Sequence, residues 1–319
     1  METSQTIPKN AAHTASQAYR QDYSKDVIPH LPPWGVMTVI DVWLNNAALG
    51  LYIVTACALL LRPVTFGILA QPAFVLAWLL LVFDLLMLVA DLGDPRRFHH
   101  MLRTFRPTSP MWVGVWALTL SAATILIPAL WGFMGLLEGF ELLPPACAAS
   151  IRAFFGSNLA ANTVLVFIYL GCACAAAGLC YKGVLFSATS RPVWRKARWF
   201  SAYLTNGGLL LGCALFTGLG MALQITNGLH RLFPAMLVML VIDILLLEFH
   251  LRPAMRDGSS ILQRRNLGTA TVLDAAAFAC LLAVILGIGN AALVALAVLG
   301  IAASTFMGRH SFVLPMHHA

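Results

Sequence analysis

The chain has 319 residues, of which 60% are hydrophobic and only 10% are charged, with a mean hydropathy of +0.81 and a formal net charge of +7. This composition excludes an ordinary soluble domain, in which about a quarter of the residues are charged. The positive charge does not indicate nucleic-acid binding either, because its distribution follows the apolar stretches described next.

Eight apolar stretches are long enough to cross a bilayer, since a spanning helix needs about 20 residues. They lie at residues 38–61, 72–91, 111–136, 158–181, 200–224, 230–250, 267–288 and 290–307. Together they occupy more than half of the chain and leave no room for a separate soluble domain. The sequence therefore predicts an all-α, polytopic membrane protein with eight transmembrane helices.

The N-terminal segment, residues 1–33, is polar and rich in Ser, Gln and Thr. It lacks a cationic start followed at once by an apolar core, so we expect a tail rather than a cleaved signal peptide. The seven cysteines include no CxxC pair, and six of them fall within predicted helices. We therefore expect them to be packing residues rather than ligands of a metal or cluster.

The first two stretches contain polar side chains that need partners in lipid. Asp41 and Asn45 lie four residues apart near the start of the first stretch, and therefore on one helix face. This pair either makes hydrogen bonds between helices or forms a headgroup site. Asp84 and Asp91, seven residues apart on the second stretch, also share a face, and they serve either proton transfer or structural pairing.

Two basic segments connect apolar stretches. Residues 91–110 contain four arginines, two histidines and two acids, so they cannot lie in hydrocarbon. We expect this segment at the membrane surface, where it meets headgroups, a ligand or a partner protein. Residues 182–199 are basic with aromatic anchors, which suits anionic lipid or an acidic partner surface. Tyr181 just precedes this segment, at a depth where tyrosine is ordinarily an interfacial belt residue.

The sixth stretch contains Asp243 and Glu248 and the seventh contains Asp274, and these acids are candidates for a proton relay or for structural pairing. The basic residues show a strong sidedness. All but three of the 20 Lys and Arg fall on the side shared by both termini, the exceptions being Arg62, Arg152 and Arg231. Because Lys and Arg collect on the cytoplasmic side, this bias predicts cytoplasmic termini in the inner membrane.

A haem b group in a helical bundle needs two histidines that face each other at matched depth. No histidine lies in the middle of a predicted stretch, so we expect no haem in this chain. The sequence also lacks Walker, Rossmann and CxxC motifs. We therefore expect a membrane subunit without a redox centre of its own.

The segment FRPTSPMWVGVW, Phe105 to Trp116, resembles the NrfD/PsrC family, the membrane subunits of polysulfide reductase and related complexes. The resemblance extends upstream through FDLLMLVADLGDPRRFHHMLRTFRPTSP. It also extends downstream to Tyr181-Lys182-Gly183 and Arg191-Pro192-Val193-Trp194, where the family has a tyrosine–x–Gly and an Arg-Pro-x-Trp. One departure lies in the first stretch, where many members have a Gly-rich sequence and this chain has NNAALG.

The resemblance implies a division into two four-helix bundles, at residues 34–181 and 200–307. A basic cytoplasmic loop at 182–199 joins them, and a C-terminal tail follows at 308–319. Such subunits bind menaquinone or ubiquinone near one membrane face without haem. They exchange electrons with a ferredoxin-like iron–sulfur subunit docked on a molybdopterin catalytic subunit, so the clusters and molybdopterin are expected only in partner subunits.

A quinone site needs hydrogen-bond donors for two carbonyl groups and a group that gives or takes protons. The family tyrosine that faces the quinone falls on Tyr181, the acid that ends the second helix falls on Asp91, and the polar residue that opens the first helix falls near Asp41. His99 and Asn45 complete the predicted quinone site. No metal ligands are predicted.

Two further sets of residues follow from these assignments. The predicted proton relay consists of the acids within the spans, namely Asp84, Asp243 and Glu248. The predicted partner interface consists of basic residues from the two basic segments, namely Arg97, Arg103, Arg106, Arg195, Lys196 and Arg198.

The predicted function is a quinone- or quinol-binding membrane anchor that passes electrons between the quinone pool and the iron–sulfur subunit of a molybdopterin oxidoreductase acting on a sulfur compound. A proton-coupled secondary transporter is the alternative from another class. Transporters usually have broken helices, and the second and sixth stretches lack internal Gly-Pro interruptions. A quinone-linked proton-translocating subunit stays open. A purely structural anchor is disfavoured, because burying unused acids costs stability.

Overall fold

The computed structural model describes residues 35–90, 103, 105–188, 194, 196–255 and 260–314. Eight helices in this part of the chain are long and apolar enough to cross a membrane. They are α1 (Val36–Leu61), α2 (Pro63–Ala90), α3 (Pro110–Gly139), α5 (Asn158–Ser187), α6 (Phe200–Ala222), α7 (Leu229–Ala254), α8 (Ile261–Ile285) and α9 (Ala291–Val313), and a short helix, α4 (Pro145–Phe155), precedes α5. The prediction of an all-α protein with eight membrane-spanning helices is confirmed.

The second span begins earlier than the sequence predicted. Helix α2 starts at Pro63, with only Arg62 between it and the end of α1, and not at residue 72. Proline suits the first turn of a helix, because the N–H it lacks would have no partner there. As a result Pro72 lies inside α2 and removes one helical hydrogen bond. The expectation of a second span without an internal proline is therefore wrong.

The sixth span is a composite helix. Within α7, a 3₁₀ turn at Leu229–Leu232 leads into α-helix at Phe233–Leu245, a π-helical segment at Leu246–Leu251 and a last turn at Arg252–Ala254. Segments of π-helix are rare and are frequent at functional sites. This one begins three residues after Asp243.

The last helix extends further than predicted, to Val313 rather than to residue 307. The residues beyond 307 include fully buried Arg309 and buried Phe312, whose carbonyl oxygen accepts a hydrogen bond of 2.7 Å from the indole Nε1 of Trp194. The first part of the predicted C-terminal tail is therefore helical, because its arginine and aromatic side chain pack into the protein interior.

Helices α1 and α6 form the centre of the molecule, with 72% and 61% of their most apolar window buried, against 44% or less in the other spans. Their backbones approach closely at glycines. A Cβ atom added to Gly50 would overlap the carbonyl group of Gly208, and one added to Gly212 would overlap the backbone of Gly50. Small residues permit such close helix contacts inside a membrane, where hydrophobic association supplies little driving force.

Each half of the chain forms a closed set of contacts. In the first set α1 packs on α2 and α5, and α3 packs on the same two helices, whereas in the second set α6 and α8 each pack on α7 and α9. The two sets also meet extensively through α1 and α6, and the described residues from Gly35 onward form one compact unit. The grouping into two separate four-helix bundles therefore stays a prediction.

Candidate functional site

A buried lysine on one helix of the first set contacts carboxylates on two other helices of that set. The Lys182 Nζ atom, from α5, lies 2.8 Å from the Asp41 Oδ2 atom of α1 and 3.4 Å from the Asp84 Oδ1 atom of α2. It also donates to the main-chain oxygen of Asp41 at 3.2 Å. The side chain of Lys182 is 4% exposed, that of Asp41 10% and that of Asp84 0%. A single cation thus contacts two carboxylates in the interior.

Asn45 completes this group, because its Nδ2 atom donates to the Asp84 Oδ2 atom at 3.2 Å. We call Asp41, Asn45, Asp84 and Lys182 the first cluster. The first-span pair therefore takes part in hydrogen bonds and ion pairs between helices. Asp84, predicted for a proton relay, lies in the same cluster as two residues predicted for quinone binding. The Asp41 Oδ1 atom is buried without a partner in the described part of the chain.

Tyr181 lies beside the first cluster. Its ring packs against α3 at Gly114, where an added Cβ atom would overlap the ring, and its centroid is 6.0 Å from the Lys182 Nζ atom. The residue is 9% exposed. Its hydroxyl group has no hydrogen-bond partner among the residues that the structure describes. A glycine on α3 is therefore what allows the Tyr181 ring to pack at this position.

The aromatic residues of the FRPTSPMWVGVW motif pack against one another at the start of α3. Phe105 meets Trp112 edge to face with ring centroids 5.1 Å apart, and Trp112 lies 6.1 Å from Trp116. Within the described ranges, the buried Nε1 atoms of both tryptophans have no acceptor. Two further hydrogen-bond donors are thus available at this end of α3.

The remaining predicted site residues divide by position. Asp91, His99, Arg97 and Arg195 lie outside the described residues. The other partner-interface residues, Arg103, Arg106, Lys196 and Arg198, are exposed. Glu248 is not part of the first cluster. It pairs with Arg252 at 2.5 Å and accepts a hydrogen bond of 2.7 Å from the hydroxyl group of Thr271.

A second group of polar side chains, all buried except the partly buried Asn206, lies in the second set of helices. It consists of Tyr203 and Asn206 of α6, Asp243 of α7, Asp274 of α8 and Arg309 of α9, and we call it the second cluster. The Asn206 Nδ2 atom donates to the Asp243 Oδ1 atom at 2.9 Å. The Arg309 guanidinium group lies over the Tyr203 ring, 5.7 Å from its centroid. Asp243, predicted for the relay, is therefore 0% exposed and part of a charged group.

Sequence reasoning missed both cations of these clusters. Lys182 was assigned to the basic loop and Arg309 to the C-terminal tail, because each follows the end of an apolar stretch. The signal was the apolar sequence that resumes afterwards, at Val184-Leu185-Phe186 and at Phe312-Val313. That pattern indicates that the helix continues beyond the charge.

The structure also contains features away from the clusters. A cavity of about 220 Å³ lies between α2, α3 and α4, next to Gln71, Trp131 and the ion pair of Glu138 with Arg152. It is at the opposite ends of α2 and α3 from the first cluster. Among the described residues no group of three or more His, Cys, Asp or Glu side chains could hold a metal ion, and all seven cysteines are free thiols.

Comparison with known proteins identifies the family. Among curated proteins, no sequence matches this chain significantly. A family model described as polysulfide reductase, of the NrfD type, matches residues 32–316. The match covers all eight membrane-spanning helices and the residues of both clusters. The chain therefore belongs to the NrfD family of polysulfide reductase membrane subunits.

Proposed function

We propose that this chain is the quinone- or quinol-binding membrane subunit of an oxidoreductase complex, passing electrons between the membrane quinone pool and an iron–sulfur partner subunit. The observation that carries the proposal is the position of Tyr181 beside the first cluster, in a family that interacts with quinone in general. A quinone, when bound, supplies a carrier of two electrons and two protons. The chain must then supply hydrogen bonds and a proton route.

The side chains near Tyr181 have the chemistry for these two tasks. The Tyr181 hydroxyl group would donate a hydrogen bond to an oxygen atom of the ligand. Asp41 is the member of the first cluster that is slightly exposed, and its free Oδ1 atom would give or take a proton. Lys182 holds the other carboxylate oxygen, Oδ2, in place. Asp91 and His99 remain candidates for the same site on the strength of the family resemblance.

Two buried acids are the candidates for the proton route in this proposal. Asp84 and Asp243 are candidates for proton transfer because both are buried acids held by an asparagine and near a cation. Glu248 is a weaker candidate, since it is already paired with Arg252 and bonded to Thr271. The ligand is menaquinone or ubiquinone, both of which present two carbonyl oxygens to such donors.

The partner assignment rests on exposed positive charge and on the family. Arg103, Arg106, Lys196 and Arg198, together with Arg97 and Arg195, would face an acidic surface of a ferredoxin-like iron–sulfur subunit. Complementary charge favours such docking and speeds association. A molybdopterin catalytic subunit acting on a sulfur compound would complete the complex. Both termini and this face would be cytoplasmic in the inner membrane, by the distribution of Lys and Arg.

The test is quinone turnover by the purified complex with Tyr181→Phe, which removes one hydroxyl group. We expect turnover to fall at least about tenfold, because a hydrogen bond made in the transition state contributes about 1.4 kcal/mol or more. Tyr169→Phe is the matched control, since Tyr169 lies on the same helix and is 59% exposed. Undiminished turnover in both Tyr181→Phe and Asp41→Asn would overturn the assignment of the site.

A second candidate, a proton-coupled secondary transporter, is favoured by one observation. Three spans are irregular, with Pro72 inside α2, Pro128 inside α3 and the π-helical segment inside α7, and transporters use interrupted helices at their substrate sites. However, Pro72 lies toward the other end of α2 from Asp84. Proton-driven uptake by the chain alone in liposomes, with no quinone turnover by the complex, would favour the transporter.

A further inference from the structure

The two buried clusters follow the same plan. In each set of four spanning helices, an asparagine from the first helix donates to an aspartate of the second helix, and a cation comes from the fourth. The asparagine-to-aspartate distances are 3.2 Å for Asn45 and Asp84 and 2.9 Å for Asn206 and Asp243. Each cluster also contains a second aspartate, Asp41 from the first helix of its set and Asp274 from the third helix of its set. Each therefore combines one cation with two carboxylates.

The clusters differ in how the cation meets the carboxylates. Lys182 contacts both carboxylates of the first cluster directly. Arg309 instead donates through Nη1 to the main-chain oxygen of Thr305 at 2.6 Å. Six buried polar atoms of the second cluster have no partner among the described residues, and they are Arg309 Nε, Arg309 Nη2, Asp243 Oδ2, both carboxylate oxygens of Asp274 and the Tyr203 hydroxyl oxygen.

These unpaired atoms include both donors and acceptors within electrostatic range of one another. Buried polar groups are almost always hydrogen-bonded, and a water molecule can satisfy several at once where the site is polar and roomy. Two glycines border the cluster. A Cβ atom on Gly207 would lie 3.1 Å from the Arg309 Nη2 atom and 3.5 Å from the Asp243 Oδ1 atom, and one on Gly308 would overlap the Tyr203 hydroxyl group.

The charges of the second cluster do not balance if both acids are ionised. Arginine remains protonated in proteins, so it compensates one carboxylate. A second ionised carboxylate in the same membrane-embedded interior would have no counter-charge, which is strongly unfavourable. The charged pair on the same helix as Asp243, Glu248 with Arg252, is neutral as a pair. Neutrality is reached when one of the two aspartates holds a proton.

We propose that the second cluster is a hydrated proton-holding site. Water molecules bridge the Arg309 guanidinium group to Asp243, Asp274 and the Tyr203 hydroxyl group, and Asp243 and Asp274 share one exchangeable proton. The ligands of this site are therefore water and a proton. The inference does not depend on whether the first cluster serves a quinone.

Infrared spectroscopy of the purified complex tests the shared proton through the carbonyl stretch of a protonated buried carboxylic acid. We expect such a band in the wild type, with a shift in D₂O because bridging water exchanges the proton. Either Asp243→Asn or Asp274→Asn should abolish it, because Arg309 then balances the one remaining carboxylate. Asp84→Asn is the matched control and should leave this band unchanged. The first cluster also combines one cation with two carboxylates, so it would contribute a component of its own, which both second-cluster variants keep. A wild-type spectrum with no exchangeable component that Asp243→Asn and Asp274→Asn each remove would overturn the proposal.

Hydroxyl-radical footprinting of the unmodified complex tests the water independently of any variant. Radicals generated from water inside a protein label side chains next to that water. Tyr203 and Tyr52 are both 0% exposed, but the Tyr52 hydroxyl group already bonds to the carbonyl oxygens of Phe167 and Ile168 at 3.2 and 3.3 Å. We expect labelling of Tyr203 at least several times faster than that of Tyr52. Equal protection of both tyrosines would contradict the hydrated site, even where the variants fail to fold.

Discussion

The first and second clusters show two ways to bury the same charges. In the first, Lys182 touches both carboxylates and locks α1, α2 and α5 against one another. In the second, Arg309 bonds to the backbone of its own helix, and its two remaining donor nitrogens have no direct partner in the described residues. A direct pair fixes geometry, whereas a group whose contacts run through water can change its protonation without moving helices. The difference makes the second cluster better suited than the first to holding an exchangeable proton within the protein interior.

The largest expected effect is that of Lys182→Met. This change leaves two buried carboxylates without their cation, and breaking a buried ion pair from one side costs about 3–5 kcal/mol. We expect the free energy of unfolding in detergent to fall by about that amount, whereas Arg231→Met, at an exposed position, should change it little.

A neutral version of the first cluster provides the control for this charge argument. Adding Asp41→Asn and Asp84→Asn to Lys182→Met removes the uncompensated charges, so most of the lost stability should return. If the triple variant is no more stable than Lys182→Met alone, the lost stability comes from packing, and the direct ion pairs of Lys182 contribute little to it.

The smaller effect is expected for Arg309→Met. The same charge is lost, but bridging water can solvate the two carboxylates, and each of them can hold a proton. We expect a loss of about 1–3 kcal/mol in the free energy of unfolding, measured in the same detergent. A cost equal to that of Lys182→Met would break the comparison, because it would indicate that the second cluster is as dry and as directly paired as the first.

The sequence alone was sufficient to locate the spanning helices and to identify most of the buried acids within them. Apolar runs of about 20 residues locate spanning helices, because lipid excludes unpaired backbone groups whatever the tertiary packing. A carboxylate or amide within such a run is conspicuous, so Asp41, Asn45, Asp84 and Asp243 were all identified from the sequence.

The sequence could not identify which side chains meet. The first cluster depends on α1, α2 and α5 packing together, and hydropathy alone does not specify that arrangement. The cations were misassigned for a related reason, because Lys182 and Arg309 lie near helix ends, where basic residues ordinarily mark the membrane surface. Their burial follows from helices that continue to Ser187 and Val313. The start of α2 at Pro63 was also missed, because a charged residue followed by proline, as at Arg62-Pro63, is typical of a loop.

The smallest expected effect concerns the contact between the two sets of helices. The Trp43 Nε1 atom of α1 donates to the Thr305 Oγ1 atom of α9 at 3.1 Å, and Arg309 binds the main-chain oxygen of the same threonine. Thr305→Val keeps the side-chain shape and the backbone carbonyl but removes the acceptor for Trp43. We expect the free energy of unfolding to fall by about 1 kcal/mol, as for one hydrogen bond. The infrared band of the second cluster should persist, because Arg309 keeps its backbone partner. Loss of that band in Thr305→Val would mean that the second cluster depends on α1, so the two clusters would have to be treated as one connected network.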